Sequence, residues 1–304
     1  MQRPLLVIIL GPTAVGKTAV AIALAEKFKT CILSADSRQF YREIPIGTAQ
    51  PSAAELNSVP HFFIATNSII EQIDAGRFGR EARALLVEKF KKNQIIIMAG
   101  GSGLYIDAVI NGFDELPDSD LSIREELQIS LEKNGISVLQ SELEKLDPEY
   151  FAQVDKDNPA RLIRAIEICR LSGKKYSELR LGKSAHLPFD VLKIGLDLPR
   201  EELYDRINKR VDAMMENGLE DEARKVFPNR KLNSLQTVGY KELFDFFDGA
   251  ITKERAIELI KQHSRNYAKR QLTWWRRDAE IKWYAPKEIS EIEQFIITIR
   301  QINN

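Results

Sequence analysis

Eight residues near the start of the chain leave little freedom to the fold around them: Gly11-Pro12-Thr13-Ala14-Val15-Gly16-Lys17-Thr18, the pattern G-x-x-x-x-G-K-[ST]. Glycines let successive backbone N–H groups turn inward around an anion, and the helix start that follows adds its partial positive charge. Such a loop needs a strand before it and a helix after it, and both are legible. Leu5 to Leu10 is a continuous apolar run, as expected of a strand buried on both faces of a parallel sheet. Thr18 to Lys29 reads as a helix, with Val20, Leu24 and Phe28 at four-residue spacing. Lys17 is placed to neutralise terminal phosphate oxygens, and the Thr18 hydroxyl to help coordinate Mg²⁺.

The alternation continues. Cys31-Ile32-Leu33 reads as a second strand ending in Ser34-Ala35-Asp36-Ser37, and residues 77–92 as a second helix. Ile95 to Met98 reads as a third strand, ending at Ala99-Gly100-Gly101-Ser102-Gly103. This order predicts an α/β fold: a P-loop NTPase-like parallel sheet flanked by helices. From about Asn111 the character changes. Leu121 onwards looks helical, Asp147-Pro148 and Asn158-Pro159 resemble capped helix starts, and no strand follows until Val191 to Leu196. Residues 1–112 and 191–304 are therefore expected to form one discontinuous core, mainly helical from Arg200, with residues 113–190 as a helical insertion domain.

The loop specifies a polyphosphate and no more. ATP or another nucleoside triphosphate is the default ligand, yet an isoprenoid diphosphate offers the same oxygens. The strand Ile95 to Met98 ends in Gly-Gly-Ser and not in the acid that completes a nucleotide-hydrolysing site. Asp36 stands at the carboxyl edge of its strand, where such folds place ligands. It reads either as a general base or as an ordinary turn residue, and Ser102 as a second site hydroxyl or a turn hydroxyl.

Charge and composition exclude several classes. Lys+Arg and Asp+Glu number 44 each, so the whole surface does not attract nucleic acid, although a local basic patch can. Residues 261–283 hold seven Lys/Arg and two acids, and Lys261, Arg265 and Lys269 follow one helical stripe. Trp274, Trp275 and Trp283 read as core aromatics in preference to base-stacking ones, and His61, His186 and His263 have no partner visible in sequence. Cys31 and Cys169 lack metal or disulfide spacing and fit the reduced thiols of a cytoplasmic protein. The N-terminus is not a signal peptide, and no apolar run reaches the roughly 20 residues of a membrane helix.

Seven blocks then resemble the tRNA dimethylallyltransferases, of bacterial type. They are Gly11-Pro12-Thr13-Ala14-x-Gly16-Lys17-Thr18, Ser34-Ala35-Asp36-Ser37-Arg38-Gln39-x-Tyr41, Ile46-Gly47-Thr48-Ala49, Gly100-Gly101-Ser102-Gly103-Leu104-Tyr105, Asn158-x-x-Arg161-Leu162-x-Arg164-Ala165, Val238-Gly239-Tyr240-Lys241-Glu242 and Lys269-Arg270-Gln271-x-Thr273-Trp274. The resemblance implies transfer of a dimethylallyl group from its diphosphate to N6 of the adenosine 3′ of the anticodon, with Mg²⁺ and with no obligate protein partner. It implies that the phosphate loop holds the diphosphate, that Asp36 is the general base, and that Ser102, where the family usually has Thr, lies beside the diphosphate. Asp36, Ser37, Arg38, Gln39, Ser102, Arg124, Ala160, Arg161, Leu162, Ile163 and Arg164 match regions that touch tRNA. The family's Pro-His-His-Leu-Ile-Asp stands here as Pro60-His61-Phe62-Phe63-Ile64-Ala65. A small-metabolite kinase, an adenylate dimethylallyltransferase and a non-catalytic RNA-binding protein are the competing readings. The insertion and C-terminal blocks match the tRNA type and not the adenylate type.

Overall fold

A computed structural model describes residues 3–71, 73–112, 116–117, 119–180 and 187–302. The first part of the chain runs β1 (Leu5–Leu10), α1 (Lys17–Lys27), β2 (Ile32–Ser34), α2 (Ala53–Ser58), β3 (His61–Phe62), α3 (Ala75–Lys89), β4 (Ile95–Gly100) and α4 (Gly103–Ile110). A helical stretch follows: α5 (Leu121–Asn134), α6 (Ser137–Leu146), α7 (Pro148–Gln153), α8 (Pro159–Ser172) and α9 (Tyr176–Leu179). The last part runs β5 (Asp190–Leu196), α10 (Arg200–Glu216), α11 (Leu219–Val226), α12 (Tyr240–Phe247), α13 (Lys253–Trp275), β6 (Lys282–Tyr284) and α14 (Ile289–Ile302).

The six strands form one parallel sheet in the order β3-β2-β4-β1-β5-β6. The apolar run of β1 has a direct cause. Side chains alternate across a strand, so Leu5, Val7 and Ile9 enter one core and Leu6, Ile8 and Leu10 the core on the other face. All six are buried. A third apolar cluster joins Tyr41 and Ile44 to Val211, Leu219, Tyr240, Leu243 and Ile260 from the C-terminal helices. At its centre the buried carboxylate of Glu222 accepts from the Ile46 and Gly47 amides and from the Tyr240 hydroxyl.

Two strands are absent from the sequence reading. β3 and β6 span two and three residues at the sheet's outer edges, too few for alternation to register. Helix α4, directly after the Gly-rich turn, is only eight residues long and mostly apolar, and it too is absent from that reading.

By its contacts the chain divides into residues 1–110 with 186–304, and residues 111–185. Phe189 and Asp190, placed in the insertion on sequence, pack with the sheet unit. The Asp190 amide donates to the Pro4 carbonyl at 2.8 Å, and Phe189 lies against Phe90 with ring centroids 5.1 Å apart. His186 and Asp118 fall outside the described residues. The insertion carries its own core of Leu127, Leu139, Leu143, Val154, Leu162, Ala165 and Ile166. Its expected helix starts are capped: Asp147 accepts from the Tyr150 amide at 3.0 Å and Asn158 from the Arg161 amide at 3.2 Å, each with Pro in the first turn.

Candidate active site

Sheet register assembles the site. In β1 and β4, Leu10 pairs with Gly100; in β2 and β4, Ser34 pairs with Ala99. The loops leaving these three neighbouring strands therefore emerge side by side at the carboxyl edge, bringing Gly11, Asp36 and Ser102 together from distant parts of the chain. The Ser37 amide donates to the Ser102 hydroxyl oxygen at 3.1 Å, joining two of the three loops directly.

The phosphate loop has the backbone that its sequence demands. Gly11 and Gly16 have φ of 144° and 108°, and Ala14 is left-handed at 63°. A Cβ at Gly11 would stand 2.5 Å from the Leu196 carbonyl oxygen on β5, so only glycine passes there. Pro12 and Val15 are buried and Thr13, Ala14 and Thr18 partly so; Val15 packs into the first core. The Lys17 ammonium donates to the Gly11 and Pro12 carbonyls at 3.0 and 2.7 Å. Burial lowers its pKa to about 7, with the Asp36 charge opposing the shift and the Arg210 charge adding to it.

Asp36 both closes a turn and lines the cleft. Its Oδ1 accepts from the Arg38 amide at 2.9 Å, a turn contact, while the residue lines an open cleft with Thr13, Lys17, Thr18, Ser37 and Arg38. Gln39 is largely committed to structure, its amide nitrogen donating to the Thr48 and Ala49 carbonyls at 3.3 and 3.0 Å. Behind the loop a smaller cavity is walled by Ala21, Ile32, Pro51, Ile64 and Ala99, with Lys17, Thr18, Ser34, Asp36, Gln39 and His61 as its polar lining.

Further site residues are given their place by tertiary contact. Arg210, one cation among several on α10, donates from Nη1 to the Thr13 hydroxyl at 3.3 Å. Burial lowers its pKa, against the pull of Asp36. Tyr267 lines the same cleft; burial, then the Asp36 charge, pushes its phenol up to about 12, opposed by a hydrogen bond with Ser102. Gln271 is buried between the phosphate loop and the Gly100–Gly103 turn. Only tertiary contact marks Arg210 and Tyr267, whereas Gln271 stands in the last of the resemblance blocks and only its partners come from packing.

The histidines and tryptophans meet expectation only in part. His61 lines the smaller cavity; its Nδ1 lies 2.9 Å from the Val59 carbonyl, and its buried Nε2 has no partner among the described residues. His263 does have a partner, Glu242, with Nδ1 to Oε1 at 2.5 Å. Phe63, in the altered Pro60–Ala65 segment, packs against Phe78 with ring centroids 5.0 Å apart. Trp275 is buried and Trp283 partly buried, as core residues should be, whereas Trp274 is 44% exposed. The basic stripe is also less free than it reads, because Lys261 pairs with Asp212 and Arg265 donates to Asn208. Lys269 alone of the three is exposed with no such partner among the described residues.

In the insertion, Arg124 and Arg164 converge on Glu167, whose side chain is fully buried. Arg124 donates to both carboxylate oxygens at 2.8 and 3.0 Å, Arg164 to one at 2.7 Å, and the Asp120 amide adds a fourth bond at 2.8 Å. Leu162 is fully buried and Ile163 packs beside it, so those two residues offer little side-chain surface to a ligand. Ala160 and Arg161 are exposed.

No group of three or more His, Cys, Asp or Glu suited to a metal occurs among the described residues. The donors at the loop fit a Mg²⁺ of another kind: Thr18 and Asp36 line the same cavity beside the anion cradle, and Mg²⁺ characteristically takes one or two protein oxygens plus phosphate oxygens and waters. No helix among the described residues is long and apolar enough to cross a membrane.

Comparison with known proteins agrees with this geometry. The family model described as IPP transferase matches residues 39–278. The chain is 49% identical over 290 residues to the tRNA dimethylallyltransferase of Cytophaga hutchinsonii, covering 95% of each chain. It is 46% identical over 293 residues to tRNA dimethylallyltransferase 1 of Bacteroides thetaiotaomicron, covering 96% of this chain and 95% of that one. Among solved structures, the full-length tRNA isopentenylpyrophosphate transferase of Bacillus halodurans is 39% identical with a TM-score of 0.73, covering 98% of this chain and 97% of that one. A eukaryotic dimethylallyltransferase acting on tRNA is 27% identical with a TM-score of 0.75, covering 93% of this chain and 74% of that one. The chain belongs to the IPP transferase family.

Proposed function

We propose that this protein transfers a dimethylallyl group from dimethylallyl diphosphate to N6 of the adenosine 3′-adjacent to the anticodon of tRNA. The observation that carries this reading is the meeting of the phosphate loop, Asp36 and Ser102 at three adjacent strand ends, with Lys17, Thr18 and Asp36 lining both an open cleft and a smaller cavity beside it. Membership of the family, and relatives named as tRNA dimethylallyltransferases, support the acceptor and the reaction class.

The loop amides, Lys17 and Arg210 receive the diphosphate, and the smaller cavity, against Ala21, Ile32, Pro51, Ile64 and Ala99, takes the five-carbon chain. Mg²⁺ bound through Thr18 would supply further charge neutralisation to the leaving diphosphate. Adenine N6 is a poor nucleophile because its lone pair is delocalised into the ring. Asp36 accepts the amine proton as the C–N bond forms and the C–O bond to diphosphate breaks, the electron pair leaving with the diphosphate. A positioned base contributes about 10²–10⁴ in rate. Ser102 stands beside the diphosphate, with Ser37, Arg38 and Gln39 on the tRNA side of the cleft. The target base is unpaired but stacked, so it must be drawn out to reach this site. Arg161 and Ala160 offer the insertion's exposed surface to the tRNA, with Arg124 and Arg164 near them in the same unit. The protein acts in the cytoplasm, where its tRNA substrate is found.

The test is incubation of the purified protein with Mg²⁺, dimethylallyl diphosphate and either unmodified tRNA or AMP, followed by mass spectrometry of the nucleosides. N6-modified adenosine in tRNA, with little product from AMP, is expected. Product from AMP alone would replace the acceptor, and no product from a folded, tRNA-binding sample would overturn the reading.

A further inference from the structure

The Gly100–Gly103 turn is packed against by three different partners, one for each of its glycines. A Cβ at Gly100 would stand 2.2 Å from the Ala35 carbonyl oxygen, one at Gly101 2.1 Å from Gln271 Nε2, and one at Gly103 2.3 Å from Trp274 Nε1. The last two belong to α13, which also places Tyr267 in the cleft. Tyr267, Gln271 and Trp274 follow i, i+4, i+7 and so share one helical face.

Gln271 does more than fill space. Its Oε1 accepts from the Thr13 amide in the phosphate loop at 2.8 Å, and its Nε2 donates to the Gly101 carbonyl at 2.9 Å. The two sites demand opposite polarity, one an acceptor for N–H and the other a donor for C=O. A side-chain amide supplies both from one planar group. Thr13 is thereby gripped twice, through its amide by Gln271 and through its hydroxyl by Arg210. We infer that Gln271 is a positioning residue, a strut from α13 that sets the phosphate loop at a fixed spacing from the turn carrying Ser102. This rests on the reaction proposed above: the strut registers the half of the site that holds the diphosphate against the half that holds the reacting groups. It touches neither substrate in this role and acts through the Thr13 amide and the Gly101 carbonyl.

Gly101 makes the idea testable in a way that loss of packing does not imitate. Alanine there would push its methyl into the space of Gln271 Nε2, whereas the nearest remaining neighbour outside that side chain, the Gly11 carbonyl oxygen, lies at 3.4 Å. Gly101→Ala should therefore act by displacing the strut, and should become harmless once the strut is gone.

The experiment measures dimethylallyl diphosphate binding by calorimetry with Mg²⁺, tRNA binding, and thermal midpoint, for the full chain and for Gln271→Ala, Gly101→Ala and the double variant. Each single change should weaken diphosphate binding about tenfold, the size expected for a lost hydrogen-bonded contact, and leave tRNA affinity within about twofold. The double variant should be no weaker than either single one. A double variant about a hundredfold weaker, an unaltered diphosphate affinity, or a loss confined to tRNA binding would each overturn the strut. Should Gln271→Ala not fold, Gln271→Met keeps the volume and removes both hydrogen bonds, with the same tenfold loss expected. A wild-type protein that binds no dimethylallyl diphosphate would sink the proposed reaction instead, an outcome distinct from wild-type binding that the variants leave unchanged.

Discussion

The Lys17 ammonium donates to the carbonyl of Pro12, five residues earlier in the same loop, at 2.7 Å. Burial holds its pKa near 7, far below the usual lysine value, so above neutrality the free protein carries this group largely uncharged. A bound diphosphate favours the ammonium form, and binding must then take up a proton. The sign follows: affinity for dimethylallyl diphosphate should fall as pH rises from 7 to 9. Calorimetry in buffers of differing ionisation enthalpy measures that uptake. Lys17→Arg stays charged and should remove the lysine's share of the slope, while the ligand's own titration is common to both proteins. Equal slopes in the two would take Lys17 out of the linkage.

Asp36→Asn preserves the side-chain oxygen that accepts from the Arg38 amide, so the turn and the tRNA affinity should survive. Turnover should drop by at least about tenfold, because the amide cannot take the amine proton. Single-turnover rates at saturating substrates decide this, and an unchanged rate would remove Asp36 from the base role.

Arg210 is a cation whose own desolvation works against it, held beside Thr13 and within reach of the Asp36 charge. Groups kept at such a cost at a binding site often trade stability for function. Arg210→Met is expected to weaken dimethylallyl diphosphate binding at least about tenfold, the scale of a lost charge-assisted contact, while the thermal midpoint holds or rises. A lowered midpoint with intact binding would make Arg210 structural.

Arg161 and Arg124 should behave differently although both sit in the insertion. Arg161 is exposed, and its replacement by Ala should weaken tRNA binding and reduce the slope of log affinity against log salt by about one. Arg124 is tied to the buried Glu167 by two bonds, so Arg124→Ala should lower the insertion's stability by about 2 kcal/mol, read by chemical denaturation. An Arg161 variant with the wild-type salt slope would exclude a phosphate contact there.

The most legible parts of the chain are those whose physics is local. An apolar run such as Leu5–Leu10 can only be satisfied between two cores, and the Gly11–Thr18 loop between strand and helix is set by backbone conformations that few residues adopt. Asp147 and Asn158 mark helix starts because a cap acts within three residues of itself. The edge strands β3 and β6 escape such reading, since a two- or three-residue strand exists through its neighbour's hydrogen bonds and not through its own pattern.

The candidate site divides along the same line. Lys17, Thr18, Asp36 and Ser102 stand at strand ends that can be read one at a time, yet it is the order β2-β4-β1 that makes them neighbours. Arg210 and Gln271 meet Thr13 across 197 and 258 residues of chain. Their charge and amide are ordinary until packing supplies the partners. The same holds for Lys261 and Arg265, whose helical stripe looks free until α10 supplies Asp212 and Asn208. Local rules specify backbone conformation because its determinants lie within a turn or two. The pairing of side chains from distant segments depends on three-dimensional register, which no short window of sequence contains.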